Sequence, residues 1–282
     1  MNNTNRGLWV EREGKSHCIY EPFDKQALFH ESSTTNLVSI GSRGSGKSRM
    51  LRADAHMRCL SVPGCTCILI RKTMKQLEQS HLLDINLEMD LLGGYYHGTK
   101  HCAFYPNGSR LFFSYVGHAG DALNLLSAEF LAGYYDELSV IPWEYFLKLN
   151  ASIRTSGTFK DMGLKGVVRA ATNPLGESAH EVMRYFVHKD VTYDEDENYF
   201  PDDWGSIRID MEDNPHLDLD QYKRRFAGLP EHVRKAWLYG EYADENALFT
   251  FNPNRNGEPY HVINELPMIN GKPVIYYDPY TD

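Results

Sequence analysis

The sequence predicts an α/β protein whose mostly parallel β-sheet is flanked by helices, with a small lid or linker subdomain attached. Short apolar segments alternate with segments of helical periodicity between residues 37 and 180. A glycine-rich octapeptide separates the first of these strands from the first helix. Two further polar clusters also follow strands directly, so we expect all three at the carboxyl edge of the sheet, where such sheets bind ligands.

The predicted elements follow one another in a regular order. Pro106-Asn107-Gly108 is a turn sequence between two apolar runs and predicts a hairpin. Gly93-Gly94 is a stop signal for the second helix. The predicted strands are residues 37–40, 67–70, 102–105, 110–115, 130–135, 166–171 and 274–278. The predicted helices are residues 47–59, 77–92, 143–153, 181–188 and 219–242.

The octapeptide satisfies the pattern G-x-x-x-x-G-K-[ST] of a phosphate-binding loop, so the predicted fold is that of a P-loop NTPase. Its glycines let the backbone N–H groups turn towards a phosphate, and the following helix adds the positive end of its dipole. Lys47 would reach the β- and γ-phosphates of ATP, and Ser48 would ligate Mg²⁺. The predicted nucleotide-binding residues here are Gly41, Ser42, Arg43, Gly44, Ser45, Gly46, Lys47, Ser48 and Arg49.

Asp136 and Glu137 close the apolar run 130–135. Asp136 suits the Mg²⁺ held by Ser48, because this ion prefers carboxylate and water oxygens. Glu137 can polarise an attacking water as a general base. An apolar run that ends in Asp-Glu is common on its own, but downstream of a phosphate-binding loop it predicts the catalytic half of the site.

Two amides complete the predicted nucleotide site. Asn173, which follows Thr172 at the end of the next strand, could hold the attacking water or sense the γ-phosphate; the alternative is an Asn-capped turn before Pro174. Gln26 lies upstream of the loop, where its amide could pair with adenine while Phe23 stacks on the base.

Charge and composition limit the classes of partner. The formal net charge is −9, but residues 1–188 hold 20 Lys and Arg against 18 Asp and Glu. The acidity therefore belongs to the last third, and any DNA contact must be a local basic patch. No apolar run predicts a membrane span, and the N-terminal segment does not resemble a signal peptide, so we expect a cytoplasmic protein.

The cysteines and histidines lack the spacing of a usual metal site, and a metal site at Cys65-Thr66-Cys67 is the disfavoured alternative. Cys65-Thr66-Cys67 is spaced too tightly for the usual zinc pair and is not followed by a partner CxxC. We interpret these residues as small buried thiols beside a strand, reduced in the cytosol. The twelve histidines show no ligand spacing and are interpreted as surface or packed residues.

Taken in order, these motifs resemble those of the large terminase subunit of tailed bacteriophages over essentially the whole length. A phosphate-binding loop alone is common to many families, so the ordered set is what makes the resemblance specific. The segments that carry it are Gln26 and residues 41–48, 107–110, 136–137, 171–174, 212–217, 229–230 and 240–242.

The resemblance implies an ATP- and Mg²⁺-dependent motor that translocates double-stranded DNA into a procapsid in the host cell cytoplasm. It implies a portal protein and a small terminase subunit as partners, and a homo-oligomeric ring when assembled, with a monomer in isolation as an alternative. We expect an ATPase domain at residues 1–180 and a lid or linker subdomain at 181–255. Residues 256–282 would be a linker and the first strand of an RNase H-like nuclease domain.

Only some of the family's functional arginines and nuclease acids have a counterpart in this sequence. Arg43 would match a P-loop arginine that acts on the nucleotide phosphates, whereas Leu125-Leu126 stands where many members have an arginine. Arg154 follows the predicted helix 143–153, which we expect at the edge of the nucleotide-binding region, where a neighbouring subunit could dock. It is then the candidate to act from that neighbouring subunit, with a helix C-terminal cation as the alternative. Asp278 would match the first nuclease metal ligand; because the other nuclease acids do not follow it here, we expect no DNA cleavage.

Two other function classes stay open at this level. The first is a DNA-dependent helicase or recombination ATPase that never contacts a capsid. The second is a P-loop kinase, which is disfavoured because Glu137 suits activation of water rather than its exclusion.

Overall fold

The computed structural model describes residues 7–125 and 128–242, together with four two-residue strands further on. The chain divides into two compact units, Met1–Glu245 and Asn246–Asp282. In the second unit, Asn254–Arg255 pairs with Glu258–Pro259 and Met268–Ile269 with Lys272–Pro273, both antiparallel. The predicted strand at residues 274–278, with Asp278, lies outside the described residues.

The first unit alternates strands and helices, as predicted. Its strands are β1 (Leu8–Arg12), β2 (Lys15–Tyr20), β3 (Asn36–Ile40), β4 (Thr66–Arg71), β5 (Tyr95–His97), β6 (Cys102–Phe104), β7 (Arg110–Tyr115), β8 (Ala132–Asp136), β9 (Val167–Thr172) and β10 (Trp204–Arg208). Its α-helices are α1 (Asp24–Glu31), α2 (Lys47–Ser61), α3 (Met74–Glu78), α4 (Ile85–Leu91), α5 (Ala119–Leu125), α6 (Trp143–Asn150), α7 (Gly157–Asp161), α8 (Ala179–Val182), α9 (Leu219–Arg224) and α10 (Glu231–Tyr239). A π-helical stretch, Met183–His188, continues α8.

An eight-stranded sheet organises this unit, in the order β10-β3-β9-β8-β4-β7-β6-β5. The six strands from β10 to β7 are parallel, and β6 pairs antiparallel with both β7 and β5. The predicted hairpin at Pro106-Asn107-Gly108 is confirmed, because it joins β6 to β7. The predicted mostly parallel α/β sheet is therefore confirmed.

The central strands read as apolar runs because both faces of the sheet are covered. Successive side chains of a strand point to opposite faces. Thus Leu69 of β4 packs in a cluster with Met50 and Leu51 of α2, whereas Ile68 and Ile70 pack in a second cluster on the other face, with α6 and the π-helical stretch. Since helices cover both faces, the carboxyl edge is left as the place for ligands.

Two predicted helices are each divided into two. Residues 77–92 break between α3 and α4, and the break turns the fully buried His81 inwards to Asp136. Residues 219–242 break at Gly228, whose φ is +83°, and Pro230 precedes α10. Because proline disfavours helical backbone at the preceding residue, this break has a local cause in the sequence.

The region predicted as lid and linker, residues 181–255, contributes to the central sheet. Trp204–Arg208 is hydrogen-bonded in parallel to β3 as the edge strand, so the sheet extends beyond the predicted boundary at residue 180. The segment after it has a small hydrophobic cluster of its own around Met211, Phe226 and Leu238. Among the helices that the structure describes, none is long and apolar enough to cross a membrane.

Candidate nucleotide-binding site

The glycine-rich loop connects the carboxyl end of β3 to the start of α2. Gly44 and Gly46 have φ values of +80° and +75°, in the left-handed region that side chains with a Cβ disfavour. A Cβ on Gly41 would lie 2.1 Å from the carbonyl oxygen of Ile209, the residue after β10. The loop therefore needs glycine both for its curvature and for its close packing against the β10 edge.

A pocket of about 260 Å³ lies over this loop and brings the three polar clusters together. The ends of β8 and β9 face it because these strands run parallel to β3 in the same sheet. Its lining residues are Arg43, Gly44, Ser45, Gly46, Lys47, Ser48, Arg49, Asp136, Glu137, Thr172 and Asn173. The convergence expected from the sequence is thus present in the fold.

Lys47 is buried at the floor of the loop. Its Nζ donates hydrogen bonds to the carbonyl oxygens of Gly41 (3.3 Å) and Ser42 (2.6 Å) and to Ser45 Oγ (2.9 Å). Burial lowers the pKa of Lys47 to about 8, although the negative charge of Asp136 acts in the opposite direction. A phosphate at the loop would add further negative charge beside this ammonium.

Asp136 is buried and has partners on both carboxylate oxygens. Ser48 Oγ donates to Oδ1 at 3.0 Å, while His81 Nε2 (2.9 Å) and Arg71 Nε (3.1 Å) lie against Oδ2. Burial acts to raise the pKa of Asp136, but the hydrogen bond from His81 and the nearby positive charge lower it overall. A carboxylate and a hydroxyl this close offer the hard oxygen ligands that Mg²⁺ takes, so the pair fits this ion.

His81 holds the Asp136 carboxylate in place by donating a hydrogen bond from an uncharged imidazole ring. Burial lowers its pKa, which favours the uncharged ring. Among the described residues, no group hydrogen-bonds its Nδ1, so the single ring proton belongs on Nε2, facing Asp136.

Glu137 stands at the mouth of the pocket in an unusual backbone conformation. Its φ of +58° and ψ of +47° are left-handed, which is uncommon for a residue other than glycine. Its Oε1 lies 2.7 Å from a guanidinium nitrogen of Arg71, so one arginine contacts both acids of the Asp136-Glu137 pair. The Glu137 side chain keeps 38% of its accessible surface, which leaves it open to a water molecule.

Side chains at the ends of β8 and β9 hold Asn173 in place. Thr172 Oγ1 lies 2.7 Å from Ser139 Oγ, and Ser139 Oγ donates to the carbonyl oxygen of Asn173 at 2.9 Å. These contacts fix the backbone of Asn173 while its side chain lines the pocket.

The segments after β10 hold Arg43 and the back of the loop. The Arg43 guanidinium lies 4.4 Å from the centre of the Trp237 ring on α10, and the backbone N–H of Arg43 donates to the Trp237 carbonyl oxygen at 2.7 Å. Asp210 Oδ1 accepts from the Ser42 N–H at 2.9 Å. Arg43 thus lines the pocket while it stacks on a helix from the predicted linker region.

A second pocket, of about 370 Å³, adjoins the loop on the side of β2 and α1. Phe23, Gln26 and Arg49 line it. Gln26 is buried: its Oε1 accepts from the Tyr20 hydroxyl at 2.9 Å, and its Nε2 donates to the Gly46 carbonyl oxygen at 3.4 Å. The predicted adenine-pairing amide therefore lies beside the loop and is engaged with protein atoms.

Arg154 does not line the nucleotide pocket of its own chain. Its N–H donates to the carbonyl oxygen of Phe130, before the start of β8, and its side chain is ion-paired with Glu129 at 3.3 Å. This position is at the amino end of β8, opposite the edge that carries Asp136. The expected position at the edge of the nucleotide-binding region is therefore not the observed one.

The sequence did not single out Arg71, His81, Asp210 or Trp237. Arg71 had a usable signal, because it is the last residue of a buried strand and must lie at the ligand-binding edge. The sequence contains no comparable indication for His81, Asp210 and Trp237, because each contacts a loop or strand end that is remote in the sequence.

Solved structures share this fold. The large terminase of a thermophilic bacteriophage, in complex with ADP, aligns with a TM-score of 0.58 at 14% identity, over 77% of this chain and 52% of that chain. The large terminase ATPase domain of Thermus phage P74-26 aligns with a TM-score of 0.58 at 16% identity, over 79% of this chain and 95% of that domain. The chain spans about half the length of the first of these two proteins.

Sequence comparison identifies the family. A search of curated protein sequences found no significant match. A family profile described as phage terminase large subunit matches residues 33–239, which include the whole pocket over the glycine-rich loop. Since this match covers well over half of the sequence, the chain belongs to the phage terminase large subunit family.

Proposed function

We propose that the protein hydrolyses ATP in the pocket over the glycine-rich loop and uses the free energy to translocate double-stranded DNA into a viral procapsid. The observation that carries the proposal is that one pocket collects the phosphate-binding loop, the Asp136-Glu137 pair and Asn173. Membership of the phage terminase large subunit family supports the packaging role.

The glycine-rich loop and the residues that line the two pockets beside it would bind the nucleotide. Lys47 and the amides at the start of α2 would bind the phosphates, where the charge of a buried ammonium is least screened. Phe23 and Gln26 would contact the base in the adjoining pocket. Arg43 would bind phosphate oxygens after leaving the Trp237 ring.

Ser48 and Asp136 would hold Mg²⁺, which supplies charge neutralisation at the phosphates when bound. His81 and Arg71 keep the Asp136 carboxylate ionised and oriented for that role. Glu137 would take the proton of the attacking water, and the ion pair with Arg71 orients its carboxylate. Asn173 would position that water or detect the γ-phosphate.

The partners of the motor follow from the family. Portal protein, small terminase subunit and double-stranded DNA are the proposed partners, in a homo-oligomeric ring within the host cell cytoplasm. In such a ring, Arg154 would reach the nucleotide of a neighbouring subunit, where it would stabilise charge that develops on the transferred phosphoryl group.

ATP turnover by the purified chain, with and without duplex DNA, tests the proposal. Lys47→Ala should abolish turnover, and Lys165→Ala, at an exposed lysine outside the pocket, should not. Turnover that rises with duplex length supports translocation, whereas unwinding of a forked duplex would indicate a helicase. Equal turnover in the wild type and in Lys47→Ala would contradict the assignment of the pocket.

A further inference from the structure

Three buried cysteine thiols lie close together at the C-terminal end of α2, the end opposite to the glycine-rich loop. Cys59 lies near the end of α2, Cys65 in the following turn and Cys67 on β4, and all three are fully buried. The sulfurs of Cys65 and Cys67 are 3.9 Å apart, and all three sulfurs lie within 4.8 Å of one another. None of the three lines the nucleotide pocket.

The spacing of the sulfurs leaves a central point suited to a metal ion. Because no two of the three sulfurs are more than 4.8 Å apart, there is a point that lies at most about 2.8 Å from each of them. The zinc–thiolate bond is about 2.3 Å long, so the Cys65–Cys67 separation is that of two ligands of one ion. From such a point, each sulfur would have to move by no more than about half an ångström to reach this bond length.

The surroundings favour thiolate over thiol at one of these sulfurs. Hydrogen bonds from the neighbouring thiols of Cys59 and Cys67 lower the pKa of Cys65, and Ser109 and the positive charge of Arg58 act in the same direction. Thiolates are the form in which cysteine binds metal ions. Burial raises the pKa of the Cys59 thiol, so an ion that binds here would have to displace the proton of Cys59.

We propose that Cys59, Cys65 and Cys67 bind one thiophilic cation, Cu⁺ or Zn²⁺, through three thiolate sulfurs. Binding releases the remaining thiol protons to solvent as the sulfurs coordinate the ion. Three soft ligands suit Cu⁺, while Zn²⁺ would take a fourth ligand in addition to the three sulfurs.

The ion would connect two elements that position the nucleotide site. It would tie the end of α2, which begins at Lys47, to the start of β4, which ends at Arg71. Pro63 and Gly64, directly before Cys65, are exposed, so local opening of this turn gives the ion a route to the sulfurs. The site is structural and independent of ATP hydrolysis.

Metal content after loading tests the proposal. The protein is incubated with Zn²⁺ or, anaerobically, with Cu⁺ in the presence of a phosphine reductant, then dialysed, and bound metal is measured by mass spectrometry. Wild type and Cys102→Ala, a buried cysteine on β6 outside the cluster, should retain one ion per chain with one of the two metals. Cys65→Ala should retain less than about a tenth of that amount.

Retention of no ion by the wild type in both arms would overturn the proposal, as would a full equivalent in Cys65→Ala. If Cys65→Ala does not fold, titration of the wild type with Cd²⁺ decides. A thiolate-to-cadmium absorption band that saturates at one equivalent supports the site, and its absence shows that the thiols are only packed together.

Discussion

Nucleotide affinity should fall as the pH rises through 8, because Lys47 must be protonated to bind phosphate. Burial lowers the pKa of Lys47 to about 8 in the nucleotide-free protein, and a bound phosphate would return it towards its ordinary value of 10.5. Binding above pH 8 then requires uptake of a proton. With those two values, ADP should bind about eightfold more weakly at pH 9 than at pH 7.5, which is roughly 1.2 kcal/mol.

Isothermal titration of ADP into the protein at several pH values measures this effect. Calorimetry in buffers of different ionisation enthalpy also reports proton uptake directly, which should approach one per nucleotide near pH 9. Lys47→Arg is the matched control, because its guanidinium stays protonated over this range and the slope should disappear. An affinity that is constant from pH 7.5 to 9 in the wild type would refute the role of the buried ammonium.

Three further predictions concern the site and the core. Arg71→Ala should lower kcat roughly tenfold with ADP affinity within about threefold, because it releases the Glu137 carboxylate while Ser48 and His81 still hold Asp136; equal losses in both would point to misfolding instead. Gln26→Ala should weaken ATP binding about three- to tenfold and leave GTP binding unchanged, and equal losses for both nucleotides would exclude a role in base recognition. Leu69→Ala, in the fully buried middle of β4, should lower the free energy of unfolding by about 2 to 5 kcal/mol in urea titrations, and a smaller loss would contradict the packing described.

The central sheet could be predicted because its strands carry their own signal. The central strands are buried on both faces, so they appear as short apolar runs with helices between them. The edge strand Trp204–Arg208 lacked this signal, because its side chains alternate in exposure and it follows an acidic loop. The hairpin Leu8–Tyr20 was also missed, since few of its residues are buried.

The loop and the two strand ends could be located because each is a local pattern at a predictable edge. The residues that hold these side chains in place could not be located in this way, because a contact such as that of His81 with Asp136 depends on where a helix ends. For Arg154, the position expected from the sequence differs from the observed one. The sequence placed it at the edge of the nucleotide-binding region, but by residue 154 the chain has crossed back to the amino end of β8, where the backbone N–H of Arg154 donates to Phe130.

We propose that this pocket hydrolyses ATP with Glu137 as the base. Single-turnover hydrolysis of ATP by Glu137→Gln, with nucleotide affinity measured in parallel, tests it most directly. The substitution keeps size and hydrogen bonding but removes the base, so binding should stay within about threefold while the rate of hydrolysis falls by roughly 10²-fold or more. Hydrolysis by Glu137→Gln at close to the wild-type rate would contradict the claim and assign water activation to another residue.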